Sequence, residues 1–212
     1  MEEIKVENVS LQFEKPAILK DISVTFESGK ISALIGRNGS GKTMLMKCIC
    51  GFVKPTSGKI FVGNKLVGVD MDFPENMGVM IETPGFVTQY SGMRNLSLLA
   101  NLNRKIGKAQ IAQSMKQVGL DPALKRHVGK YSLGMRQRLG IAQAIMEDPD
   151  ILILDEPMNG LDNQGVEDVR NLLLDLKAQG KTILIASHNR EDIDVLCDHV
   201  WELDQGEMSQ VR

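Results

Sequence analysis

The sequence predicts an α/β protein with a mostly parallel sheet, an N-terminal antiparallel β subdomain and an inserted helical subdomain. Three observations predict it. Strand and helix patterns alternate regularly from residue 151 onward, the arrangement that builds a parallel sheet covered on both faces. Residues 4–35 are rich in strand patterns instead, and residues 92–147 are helical and interrupt the alternation.

Taken in order, Ile4, Val6, Val9, Leu11 and Phe13 sit in an apolar–polar mix, and Ile22, Val24 and Phe26 alternate with Asp21, Ser23 and Thr25. The second stretch has the two-residue period of a strand, and both read as strand-rich. Glu27-Ser28-Gly29-Lys30 is a turn before a short buried strand, Ile31–Ile35. A helix is expected from Lys42 to a glycine C-cap at Gly51, ahead of Pro55. Lys59–Val67, broken by Gly63-Asn64, has the form of a hairpin, and Val79–Ile81 that of another short strand. Helices are expected over Asn95–Asn103, over Lys108–Val118, and from near Gly134 to about Met146. Then follow strand Ile151–Leu154, helix Gln164–Ala178, strand Thr182–Ala186, helix Arg190–Leu196 and a final strand, Val200–Leu203. One domain is expected, with residues 1–91 and 148–212 forming the α/β core and its β subdomain, and 92–147 the helical insertion.

Bulk composition narrows the function. A chain of 212 residues can bury one good core. Its net charge of −2 leaves no basic field for nucleic acid. No apolar run approaches membrane-spanning length, and MEEIKVENVS carries acid where a signal peptide needs a basic region. A cytoplasmic location follows, with any membrane role supplied by a partner. Cys48, Cys50 and Cys197 are too few for a metal site and read as reduced core thiols.

Gly36-Arg37-Asn38-Gly39-Ser40-Gly41-Lys42-Thr43 matches G-x-x-x-x-G-K-[ST], between a buried strand and a helix. The competing reading is a glycine turn that merely caps a helix. Chance matches arise in on the order of one chain in a hundred from residue frequencies, and the strand–helix context lowers that further. The segment is therefore expected to hold ATP. Gly36, Asn38, Gly39, Ser40 and Gly41 let the amides converge on phosphate, Lys42 adds charge at the β- and γ-phosphates, and Thr43 offers a hydroxyl to Mg²⁺.

Ile151–Leu154 leads straight into Asp155-Glu156-Pro157. Four apolar residues suit a strand buried on both faces, whose C-terminal end is where open α/β sheets place ligands. Two adjacent carboxylates there are costly without a cation, so Asp155 is expected to hold Mg²⁺. Glu156 points elsewhere and can accept a proton from attacking water. Alone, the pair could be a plain acidic turn; beside a phosphate loop it is expected to be a P-loop NTPase site.

Tyr131-Ser132-Leu133-Gly134-Met135-Arg136-Gln137-Arg138-Leu139 precedes the acidic strand and opens a helix, whose N-terminus favours an anion. In order with Gly36–Thr43, Asp155-Glu156 and Ser187-His188, this resembles the ATP-binding cassette (ABC) ATPases from Ile4 to Leu203. The resemblance makes Ser132–Met135 the signature loop, with Ser132 and Gly134 facing nucleotide, and Gly160-Leu161-Asp162 the D-loop. It makes His188 the γ-phosphate switch histidine and Phe13 the aromatic that stacks on adenine. For Phe13, packing within the strand is the competing reading; Asp162 could equally cap the next helix. His127 and His199 read as structural or solvated.

Three departures mark a branch. Glu82 stands where most relatives have glutamine, the signature reads Tyr-Ser-Leu-Gly-Met, and Met158 replaces the usual threonine. The first two look like the bacterial branch that exports peptide antibiotics and lantibiotics. Glu82 ends the Val79–Ile81 strand, where a carboxylate could bind Mg²⁺ but offers the γ-phosphate no donor; the competing reading is a solvated strand end. It also begins a segment, Thr83–Met93, with the glycine and polar content of a mobile loop. By resemblance, two copies sandwich two ATPs head to tail and drive separate transmembrane permease subunits from the inner face of the membrane. The alternative from another class is a soluble ABC ATPase acting as a mechanical switch on ribosomes or DNA.

Overall fold

The computed structural model describes residues 2–14, 16–82 and 85–212. Ten strands and six α-helices form two sheets and a group of helices among the described residues. The first sheet pairs β1 (Ile4–Leu11) with β2 (Leu19–Phe26) and β4 (Ser57–Val62), and ends on β5 (Lys65–Leu66). All its ladders are antiparallel.

The second sheet has the order β10-β9-β3-β8-β7-β6, from β10 (Glu207–Gln210), β9 (His199–Asp204), β3 (Ile31–Ile35), β8 (Thr182–Ala186), β7 (Ile151–Asp155) and β6 (Met77–Met80). Every pair is parallel except β9 with β10. The expected final strand is therefore one hairpin short: Gln205 and Gly206, both at positive φ, turn the chain back into β10. Glu207–Gln210 alternates weakly and is largely exposed, as befits an edge strand.

Alternate residues of the central strands enter different cores, which explains their unbroken apolar runs. Leu152, Leu154, Ile183 and Ile185 pack with Leu139, Ile141, Leu173 and Leu196 on one side. Ile151, Ile153, Leu184 and Ala186 pack on the other with Leu45, Ile49, Val6 and Ile22. The first core belongs to α2 (Gly92–Asn103), α3 (Lys108–Gln117), α4 (Leu133–Ile145), α5 (Asn163–Ala178) and α6 (Arg190–Leu196). The second is shared by α1 (Lys42–Ile49) and the antiparallel sheet.

β1 stops at Leu11, and Phe13 lies beyond it with 65% of its surface exposed. Packing within the strand is excluded. Thr83 and Pro84, at the head of the expected mobile loop, lie outside the described residues; from Gly92 the chain is helical.

Candidate functional site

Parallel β3 and β7 deliver the phosphate loop and the acidic pair to the same sheet edge, each at a strand's C-terminal end. The loop turns on glycines for steric reasons. Gly36 is at φ +140°, and a Cβ there would lie 2.1 Å from the Leu203 carbonyl oxygen on β9. Gly41, at φ +109°, precedes the first turn of α1.

Lys42 is buried, and its Nζ donates to the carbonyls of Gly36 at 2.7 Å and Arg37 at 3.0 Å. Thr43 Oγ1 donates to Asp155 Oδ2 at 2.8 Å. The Ser40 hydroxyl is buried without a hydrogen-bond partner, while open space lies around Gly39. This donor set fits a polyphosphate: an ammonium held only by neutral carbonyls, an orphaned hydroxyl and a helix N-terminus all favour an anion.

An open cavity of about 610 Å³ is bordered by Asn38–Met44, Glu82, Asp155, Glu156, Asn159 and the α4 residues Leu133, Arg136 and Gln137. His188 is not on its wall but reaches the site through Glu156. Its Nδ1 lies 2.9 Å from both carboxylate oxygens. With Nδ1–H given to Glu156, a neutral ring keeps only a lone pair at Nε2; it donates to an anion as imidazolium or after leaving Glu156. The His188 side chain is 74% exposed.

Glu82 borders the cavity, yet its carboxylate is taken by Lys47 Nζ at 2.6 Å. Sequence reasoning missed Lys47, although it follows Thr43 by four residues and so shares its helix face. It also left Gln137 without a role; Gln137 Nε2 donates to the Glu156 carbonyl at 2.8 Å. Ser132 caps α4 by accepting the Met135 N–H, and Asp162 caps α5 by accepting the Gly165 N–H. Gly134 packs where a Cβ would meet the Gly160 carbonyl at 2.9 Å. Phe13, Ser132 and Gly134 do not border the cavity. Of the other histidines, His127 is exposed and His199 lies 3.6 Å from Glu27.

The family model described as ABC transporter matches residues 19–159, from β2 through the acidic pair. The chain belongs to the ABC transporter family. It is the ATP-binding, ATP-hydrolysing cassette of such a transporter. It is 43% identical over 205 residues to an uncharacterized ABC transporter ATP-binding protein, YybJ of Bacillus subtilis (strain 168), covering 97% of this chain and 94% of that one. It is 38% identical to the bacitracin transport ATP-binding protein BcrA of Enterococcus faecalis, over 97% of this chain and 67% of that one. Among solved structures, the cassette MJ0796, a dimer in a post-hydrolysis state bound to ADP and Pi, matches with a TM-score of 0.87. That match covers 99% of both chains at 20% identity, and shows the fold. The family match spans the glycine loop, the α4 N-terminus and the acidic pair of the cassette.

Proposed function

We propose that this cassette powers export of an antimicrobial peptide or a related compound, as one of two copies that close on ATP beneath separate permease subunits. The observation that carries the reading is the site's one-sidedness. Lys42, Thr43, Asp155 and Glu156 meet at a single sheet edge, while Ser132, Asp162 and His188 stand exposed. A second copy would bring an α4 N-terminus to each phosphate loop. The Ser132 oxygen already accepts the Met135 N–H, so its hydroxyl proton is free for an anion. Phe13, exposed beyond β1, suits stacking on adenine.

In this reading, residues 92–147 form the signature subdomain and the rest the nucleotide-binding core. Lys42 exchanges its two carbonyl partners for phosphate oxygens. Thr43 and Asp155, already paired, hold Mg²⁺, with Glu82 as a further candidate ligand once it leaves Lys47. The ion, when bound, neutralises charge developing on the phosphates. Glu156, oriented by His188, takes the proton of the attacking water, an effect worth roughly 10²–10⁴ in rate. Bacitracin transport is named for a relative 38% identical to this chain, which supports a peptide-antibiotic cargo. No helix among the described residues is long and apolar enough to cross a membrane, so peripheral attachment at the inner face would come through the permease.

The test is Glu156→Gln. It keeps ATP binding, lowers hydrolysis by about two orders of magnitude or more, and gives an ATP-dependent dimer by gel filtration. Wild-type turnover in this variant rejects Glu156 as base. Gentle membrane solubilisation with the tagged chain should recover permease subunits; recovery of ribosomes instead favours the soluble-switch alternative.

A further inference from the structure

Glu156 sits in a backbone conformation that does not hold itself. It is at φ +49°, in the left-handed region that costs a non-glycine residue roughly 1–2 kcal/mol. Its N–H donates to Ala186 on β8 at 2.9 Å. Its carbonyl accepts the Asn159 N–H at 3.1 Å, closing a turn, and the Gln137 amide at 2.8 Å. Of these three, only the Gln137 contact comes from α4.

Three further contacts show that α4 is seated on this turn. Gly134, three residues before Gln137 and on the same helix face, has no room for a Cβ against the Gly160 carbonyl. Gly160, at φ +76°, is capped by Leu133, whose side chain a Cβ would meet at 2.5 Å. Arg138 Nη2 lies 3.9 Å from Asp162 Oδ1, at the end of the turn. The residues 156–162 therefore lie in a cradle made by the first two turns of α4.

We infer that Gln137 is a positioning residue for the reaction: it fixes the peptide of Glu156 so that the carboxylate is aimed at the attacking water. The inference deepens the proposed function and rests on Glu156 acting as base. It also gives α4 two jobs. Its N-terminus faces the nucleotide of the second copy, while its second turn sets the base of its own copy. A shift of α4 on closure is thereby felt at the base through one side chain. Gln137 borders the cavity but acts through the Glu156 backbone, not on substrate.

Gln137→Met keeps the length of the side chain and removes the donor. Gln137→Glu puts an acceptor against the Glu156 carbonyl. We expect kcat to fall about 10-fold in the first and further in the second, within the 10²-fold that a misplacement of about 1 Å can cost. KM for ATP and Tm should stay near wild type. The decisive measurement combines Gln137→Met with Glu156→Gln. If Gln137 acts through the base, the double variant hydrolyses no more slowly than Glu156→Gln and forms the ATP-dependent dimer to the same extent. Unchanged kcat in Gln137→Met overturns the inference, as does a drop in kcat matched by lost ATP affinity, lost Tm or a weaker dimer in the double variant. Full turnover by Glu156→Gln alone would instead overturn the reading beneath it.

Discussion

Lys47 Nζ lies 2.6 Å from Glu82 Oε1, so the carboxylate that replaces the family's usual glutamine is held by the helix that carries Thr43. Glu82 is at φ +58° and its side chain is 61% exposed, while Lys47 is 24% exposed. An ion pair this open contributes at most about 1 kcal/mol, so it is easily exchanged for another partner. Glu82→Ala should leave ATP affinity close to wild type and uncouple ATPase activity from transport in the assembled complex. Glu82→Gln should be milder, since it keeps size and an oxygen. Equal transport, and equal stimulation of ATPase by the permease, in wild type and Glu82→Ala would reject a coupling role. Lys47→Met should change stability by no more than about 1 kcal/mol, measured by urea unfolding.

Ser132→Arg should block hydrolysis while sparing ATP affinity of the monomer, because the phosphate loop is untouched. Mixed with Lys42→Ala, it should recover partial activity, since one of the two shared sites then has both halves intact. Loss of monomer ATP binding in Ser132→Arg would contradict action in trans.

Gly36→Ala should be destabilising by about 3 kcal/mol, combining overpacking and a φ that L-residues avoid. The obstacle is backbone, the Leu203 carbonyl at 2.1 Å, so no side chain can turn aside. Urea or thermal unfolding measures the loss; a stability equal to wild type would mean that β9 does not approach the loop this closely.

Burial pushes the Cys48 thiol up to about 11 and those of Cys50 and Cys197 up to about 12. At pH 8 almost no thiolate exists in the folded protein, against an ordinary value near 8.5 for a free thiol. Iodoacetamide should label all three slowly in buffer and rapidly in denaturant. Fast labelling at one cysteine in buffer would show local opening there.

Local chemistry made much of this protein legible from its residues. The glycine spacing of Gly36–Gly41 dictates a loop, because φ values of +140°, +80° and +109° are open mainly to glycine. Runs such as Ile151–Leu154 announce a strand buried on both faces, and the two cores on either side of it bear that out. Motif order was enough to reach the family. The edge strand Glu207–Gln210 was not legible, since it buries little and carries only a weak alternation.

Tertiary structure decided the partners of the polar groups. Lys47 and Glu82 are 35 residues apart, Gln137 and Glu156 19, and His188 and Glu156 32. No periodicity encodes such pairs, because a hydrogen bond depends on atoms within about 3 Å that only the packing of α1, α4 and the sheet brings together. Phe13 shows the same limit: its apolar alternation continues that of β1, but the strand's ladders end at Leu11 and leave the ring in solvent. Residue type set which polar groups the chain could bring to a site, and the fold set which oxygen meets which nitrogen there.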